Sequence, residues 1–263
     1  MKHIHMDEFA KLKSPLHTMD PRAKALAFLF FIFLTVTLTR PVLLLAAVFF
    51  WLGMLLMARI PVGYIIRRVM WIIPFAGFLI ILFPFVTPGD PVWSINVGVF
   101  RLTATAEGLE RAVMLLLRAM ASVLAIVTLT STTRFSSLMK ALTHLKVPGV
   151  IVQMVEFTIR YIFVAIDELK RMRRSRRSRG FASGKNIWHA RTVSTLAQLV
   201  GTMFLRAYER GDRVYIAMLS RGFTGKINTM TEFVIKPTDY IKAGAISLLA
   251  VGLFLLDKGG VIR

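Results

Sequence analysis

The sequence predicts an all-α integral membrane protein, with about five transmembrane helices and a cytoplasmic region of long amphipathic helices. Three observations lead there. Of its 263 residues, 56% are hydrophobic, a bilayer-like composition rather than that of an ordinary soluble domain. Four apolar stretches, at about 24–39, 41–58, 69–87 and 112–130, and a fifth at 240–256, are long enough to cross a hydrocarbon core of roughly 30 Å as helices. The third observation is the placement of charge. The net charge of +20 would point to nucleic acid in a soluble protein, but here it collects on one side of the predicted spans.

Asp20-Pro21-Arg22-Ala23-Lys24 starts the first span. Aspartate caps free amides there, and proline suits the first helical position, where its missing N–H costs nothing. Arg40-Pro41 makes a tight outer turn before the second span, and Ile60-Pro61-Val62-Gly63 breaks the chain after it. The third span runs to Phe83-Pro84-Phe85, followed by the loop Thr87-Pro88-Gly89-Asp90-Pro91. Residues 92–100 alternate too weakly to separate a short strand from an interfacial segment.

With a cytoplasmic N-terminus, Lys2, Lys11, Lys13, Arg22, Lys24, Arg59, Arg67 and Arg68 lie inside, and mainly Arg40, Arg101, Lys258 and Arg263 lie outside. Both inner groups obey the positive-inside rule. The domains that follow are a cytoplasmic N-terminal segment 1–23, spans one to four within 24–130, a cytoplasmic region 131–239, a last span 240–256 and a tail 257–263. The sequence has no cysteine, which excludes disulfides and thiolate metal sites. Its first twenty residues are polar and lead into a full-length span without the short apolar core of a cleavable signal peptide.

Within the cytoplasmic region, Phe135, Leu138, Met139, Leu142 and Leu145 fall at helical spacing and predict a short amphipathic helix that ends at Pro148-Gly149. A longer helix follows, with Ile151, Val155, Ile159, Ile162, Ile166 and Leu169 on one face and a basic end from Lys170 to Arg179. Residues 147–166 approach the length of a span. However, Gln153, Glu156 and Arg160 would each be expensive in lipid, and a sixth span would move the most basic part of the chain outside. After Gly184 a third helix is predicted to about Ser220, with Val193, Leu196, Val200, Met203, Ala207, Val214 and Ala217 near a 3.5-residue repeat interrupted by Arg210.

The two long helices share features. Phe157-Thr158-Ile159-Arg160-Tyr161 precedes one Ser-Arg-Gly-Phe, residues 178–181, and Phe204-Leu205-Arg206-Ala207-Tyr208 precedes another, residues 220–223. One copy is explained as a helix ending, because a terminal arginine complements the macrodipole and glycine supplies the left-handed residue. Two copies point to paired tips for two similar partners.

Catalysis by this chain has little support. The metalloprotease, phosphate-loop and nucleophile-elbow patterns are missing from the sequence. His3, His5 and His17 form a loose potential metal cluster, but a solvated tail fixes no ligand geometry. Arg118, inside the fourth span, has either a functional or a structural role, and packing against the bundle interior is the simpler reading. The methionines in and beside the spans, such as Met54, Met57, Met70, Met114 and Met120, suit adaptable packing better than copper binding.

The motifs Asp20-Pro21-Arg22-x-Lys24, Thr158-x-Arg160-Tyr161-Ile162-Phe163-Val164, Glu168-x-x-Arg171-Met172-Arg173-Arg174 and Glu209-Arg210-x-x-Arg213-Val214-Tyr215-x-Ala217-Met218-x-x-Arg221-Gly222-Phe223 together resemble the transmembrane T component of energy-coupling factor transporters, most closely the cobalt-type subfamily. The resemblance covers nearly the whole chain. It implies that the long helices are coupling helices whose tips dock into grooves of two ABC-type ATPase subunits. Arg179 and Arg221 would be the docking arginines, with Gly180 and Gly222 beside them. Ser178 and Ser220 stand where the family usually has alanine. The resemblance further implies a separate substrate-binding S-type membrane subunit, ATP and Mg bound by the ATPases with no cofactor on this chain, and residence in a bacterial or archaeal plasma membrane. It favours cobalt or nickel uptake, with a vitamin importer as the alternative solute. The rival from another class is a membrane scaffold whose Arg171–Arg177 cluster holds anionic lipid, at about 1 kcal/mol per charge, or nucleic acid. The family reading expects membrane lipid but no nucleic acid as a partner.

Overall fold

The computed structural model describes residues 9, 12, 14–71, 73–88, 90–97, 100–180, 190–225 and 236–259. Of these, the residues within 5–141 and 233–263 form one compact unit, and those within 142–232 form another.

In the first unit α1 (Pro21–Thr37) begins as the sequence requires, with the Asp20 carboxylate accepting from the Arg22 amide at 2.8 Å and proline in the first turn. The helix α2 (Pro41–Met57) is apolar throughout. The predicted third span is two helices, α3 (Val62–Met70) and α4 (Ile73–Val86). Pro74 explains the break, because its ring has no N–H to give the carbonyl one turn earlier and suits the start of a helix. The segment 92–100, undecided in the sequence, falls mostly in two antiparallel paired strands, β1 (Pro91–Val97) and β2 (Phe100–Thr105), with a bulge near Pro91. The helix α5 (Ala106–Thr132) starts earlier than its apolar stretch and packs on α1, α2, α3 and α4, while α9 (Pro237–Lys258) packs on α1. Between α5 and α9 come α6 (Phe135–His144), α7 (Gly149–Ser178) and α8 (Ala190–Ser220). By length and composition α5, α7 and α9 can each cross a membrane, and α2 is a shorter apolar helix.

The first unit's core is one cluster. Trp51 is 0% exposed and meets the Phe28 and Phe31 rings edge-on at 4.6 and 5.1 Å. Ala47, Ala121 and Ala125 are buried in the same cluster, and small residues of this kind let helices approach closely. Thr35, Thr128 and Thr132 direct their hydroxyls to the carbonyls four residues back, at 2.6–2.8 Å, so none is left unsatisfied in the interior.

Charged groups fasten the ends of the helices. Lys24, 1% exposed, donates to the Thr132 carbonyl and to the Thr132 and Thr133 hydroxyls at 3.0–3.3 Å, tying the start of α1 to the end of α5. At the α1–α2 turn, the Asp257 carboxylate accepts from the Thr39 amide and hydroxyl and from the Arg40 amide at 3.0–3.3 Å. Arg118 donates to the Leu38 carbonyl in the same turn at 2.6 and 3.2 Å, which gives it the structural role. Where α4 and α5 meet, Gly108 has no room for a side chain, since a Cβ would lie 2.7 Å from the Pro84 Cα.

Candidate functional site

In the second unit the helices α7 and α8 carry the two Ser-Arg-Gly-Phe sequences. Glu168 on α7 pairs with Arg206 on α8, and Arg176 donates to the Thr195 carbonyl at 3.3 Å. Moving along α7 from Glu168 to Arg176 therefore moves backwards along α8, so the helices are antiparallel where they touch. Ser178 lies ten residues beyond Glu168 and Ser220 fourteen beyond Arg206. At 1.5 Å per residue these are about 15 and 21 Å of helix, leading away from the contact in opposite directions. The two tips sit on opposite sides of the crossing.

Their local structures match. Ser178 ends α7 and Ser220 ends α8. Each serine hydroxyl donates to the carbonyl four residues back, Arg174 at 3.0 Å and Ile216 at 2.9 Å. A hydroxyl satisfied in this way leaves no open donor on either serine. Gly180 and Gly222 take φ of +73° and +79°, the left-handed conformation that costs other residues roughly 1–2 kcal/mol. Their amides donate to the Arg177 and Leu219 carbonyls at 3.1 and 2.9 Å, and Phe223 N–H donates to Met218 at 3.0 Å. At the α8 tip the two bonds make the Schellman arrangement; the α7 tip shares the left-handed glycine and the bond from its amide. Phe181 lies outside the described residues. Arg179 and Arg221 are exposed, and among the described residues neither guanidinium has a hydrogen bond or ion pair.

The capping explanation can be tested inside the molecule. At the end of α2, Arg59 takes φ +57° while its amide donates to Leu56 and that of Ile60 to Leu55. At the end of α6, Lys146 takes φ +65° while its amide donates to Thr143 and that of Val147 to Leu142. Both helices make the same cap with quite different residues. Capping accounts for the shape of the two tips but not for their shared sequence.

The apolar faces predicted on α7 and α8 form, but much of their surface is left uncovered within the chain. Val150, Ile151, Met154 and Ile162 on α7, and Val193, Leu196, Val200, Phe204 and Ile216 on α8, are exposed. The predicted seam on α8 packs only in part, where Met203 and Ala207 line a cavity of about 290 Å3 between the helices, together with Phe157, Tyr161, Ala165 and Glu168. Arg210, which interrupts the seam, lines it too.

Of the N-terminal histidines, His3 and His5 lie outside the described residues. His17 has a structural place, with Nδ1 2.7 Å from the Ser14 hydroxyl and Nε2 2.9 Å from the Phe9 carbonyl. Burial holds its pKa below the ordinary 6.5, outweighing the Phe9 hydrogen bond, which raises it. Among the described residues no group of three or more His, Asp or Glu side chains is placed to hold a metal.

Residues 12–232 match the family model of CbiQ, described as a cobalt transport protein. The chain belongs to the CbiQ family. It is 30% identical to the energy-coupling factor transporter transmembrane protein EcfT of Heliobacterium modesticaldum over 97% of both chains. It is 29% identical to EcfT of Streptococcus thermophilus over 91% of this chain and 92% of that one. A putative fused cobalt transport protein CbiMQ of Methanocorpusculum labreanum is 27% identical over 84% of this chain, which covers 37% of the fused protein. This CbiQ-family chain is thus an energy-coupling factor transporter T component, a multi-pass membrane subunit of a transporter. The two tips and the exposed faces of α7 and α8 are features of that subunit.

Proposed function

We propose that this T component transmits ATP-driven motion from two ABC-type ATPase subunits to a separate substrate-binding membrane subunit, and that the imported solute is cobalt or nickel ion. The single observation that carries the docking role is the matched pair of tips: identical Ser-Arg-Gly-Phe sequence, a left-handed glycine at each, and at each an exposed arginine with no partner among the described residues. Ser178, Arg179 and Gly180 engage one ATPase, and Ser220, Arg221 and Gly222 engage the other. A planar guanidinium is suited to carboxylates and carbonyls in a protein groove. Opposite placement of the tips gives each ATPase its own point of purchase. ATP and Mg2+ bind those partners, where hydrolysis takes place.

The exposed apolar faces of α7 and α8 support contact with a further membrane subunit, since such surface marks an interaction site. In this reading the N-terminus and residues 131–239 face the cytoplasm of a bacterial or archaeal cell, with Gln153, Glu156 and Arg160 keeping α7 out of the lipid core. The metal assignment is supported by the CbiQ and CbiMQ names. A vitamin importer is the second reading, favoured by near-full-length similarity to proteins named EcfT, whose names carry no metal.

Gentle detergent purification of the tagged chain followed by mass spectrometry tests the proposal. Two ATPase copies and a second small membrane protein are expected, with uptake of labelled Co2+ or Ni2+ after reconstitution. Recovery of the chain with anionic lipid or nucleic acid alone, released by salt, would favour the scaffold instead.

A further inference from the structure

Glu168 is an acid at the head of a strongly basic run, and docking at the tips gives it no task. Its side chain is 17% exposed, against 54% for Arg206 and 66% for Arg171, and it contacts both arginines. Arg171, one turn along the same helix, donates from Nη2 at 3.0 Å to one carboxylate oxygen, and Arg206 on α8 takes the other. The first contact orients the carboxylate, and the second crosses between helices.

Packing beside this pair is poor. A cleft open to the surface runs between the helices, with the small residues Ala165, Ala207 and Gly211 among its lining. A close-packed interface resists sliding because side chains interdigitate; helices separated by a cleft interdigitate less. Direct polar links between α7 and α8 include the Glu168–Arg206 pair and the Arg176 bond to the Thr195 carbonyl. An exposed ion pair contributes little to stability, but position is a different matter. A charge-assisted contact fixes one point on each helix relative to the other.

We infer that Glu168 and Arg206 are positioning residues that pin the crossing, so that displacement at either tip moves α7 and α8 as one lever. This rests on the T-component reading for its consequence, but the pin itself is a property of this chain. Arg171 holds the carboxylate in the orientation the pin needs. The pair requires opposite charges at these two places, not a particular residue at either.

The absence of cysteine makes the test direct. Spin labels are attached to cysteines replacing Arg177 and Leu219, near the two tips, and the distance distribution is measured in the full chain in detergent. The distribution is expected to be narrow in the parent, about twofold broader in Glu168→Gln and in Arg206→Gln, and narrow again in the charge-swapped Glu168→Arg/Arg171→Glu/Arg206→Glu variant, which inverts the orienting charge at 171 together with the pair. The same variants in the reconstituted complex should lose about fivefold in uptake per ATP hydrolysed while retaining both ATPases, with recovery in the swap. Unchanged distances in the single variants, or a swap no narrower than they are, would overturn the pin. If the parent recruits no ATPase yet its tip distance depends on the pair, the pin stands and the transporter reading fails.

Discussion

The bundle and the arms use the same residue types for opposite ends. In the bundle, large apolar side chains such as Trp51, Phe28, Phe31, Leu44 and Leu124 are wholly buried, and the charges of Lys24, Arg118 and Asp257 are taken up by backbone and hydroxyl partners. In the arms, Phe204, Val200 and Met154 lie exposed, and Arg179 and Arg221 have no side-chain partner among the described residues. A buried charge must be paired to be tolerated at all; an exposed one costs nothing to leave ready. The contrast separates residues that hold this chain together from residues kept for other chains.

That contrast can be broken most forcefully at the tips. Arg179→Ala combined with Arg221→Ala should reduce coupled uptake by more than about tenfold, a loss of about 1.4 kcal/mol or more in coupling, with the melting temperature of the purified chain unchanged. In the bundle the opposite pattern is expected. Trp51→Ala should destabilise the chain by about 3 kcal/mol through the cavity it leaves, seen as reduced yield and a lower melting temperature. Gly108→Ala should cost about 2 kcal/mol, because the added methyl meets the backbone of Phe83 and Pro84 on α4, which cannot swing aside, as well as the Thr105 hydroxyl. If it melts like the parent, α4 and α5 are not as close as described.

The glycines of the tips sharpen the comparison from the other side. Among the described residues nothing beyond the adjoining chain lies within 4 Å of a Cβ at Gly180 or Gly222, so alanine there meets chiefly the strain of positive φ, about 1 kcal/mol. The expected result is weaker ATPase association with little change in global melting. His17 gives the smallest effect. Its pKa is lower folded than unfolded, so the unfolded chain binds more protons as pH falls through 6.5, and stability is full above that pH and declines below it. Melting temperatures between about pH 5 and 7.5 should show a shallow slope that His17→Ala removes.

The helices α1, α2, α5 and α9 are legible because apolar length is a local signal, and so are the helix starts at Asp20-Pro21 and Pro148-Gly149. The third apolar stretch reads as one helix because hydropathy runs continuously through Trp71, whereas Pro74 interrupts the hydrogen bonding and the structure has two, α3 and α4. Arg179-Gly180 and Arg221-Gly222 were visible as a repeat, and the caps confirm their shape. What could not be read was distance in sequence. Lys24 meets Thr132 across 108 residues and Arg206 meets Glu168 across 38, and neither side chain advertises its partner. The only hint at Glu168 was an acid standing before a run of arginines.

Whether each tip is a docking point for an ATPase can be decided by site-specific photo-crosslinking. A photoreactive amino acid is placed singly at Ser178, at Ser220 and, for contrast, at exposed Phe33 on α1, in cells expressing the full complex. Adducts with an ATPase subunit at both tips and none at Phe33 are the predicted result. Adducts with lipid alone at the tips, or ATPase captured at Phe33 and at neither tip, would contradict the account.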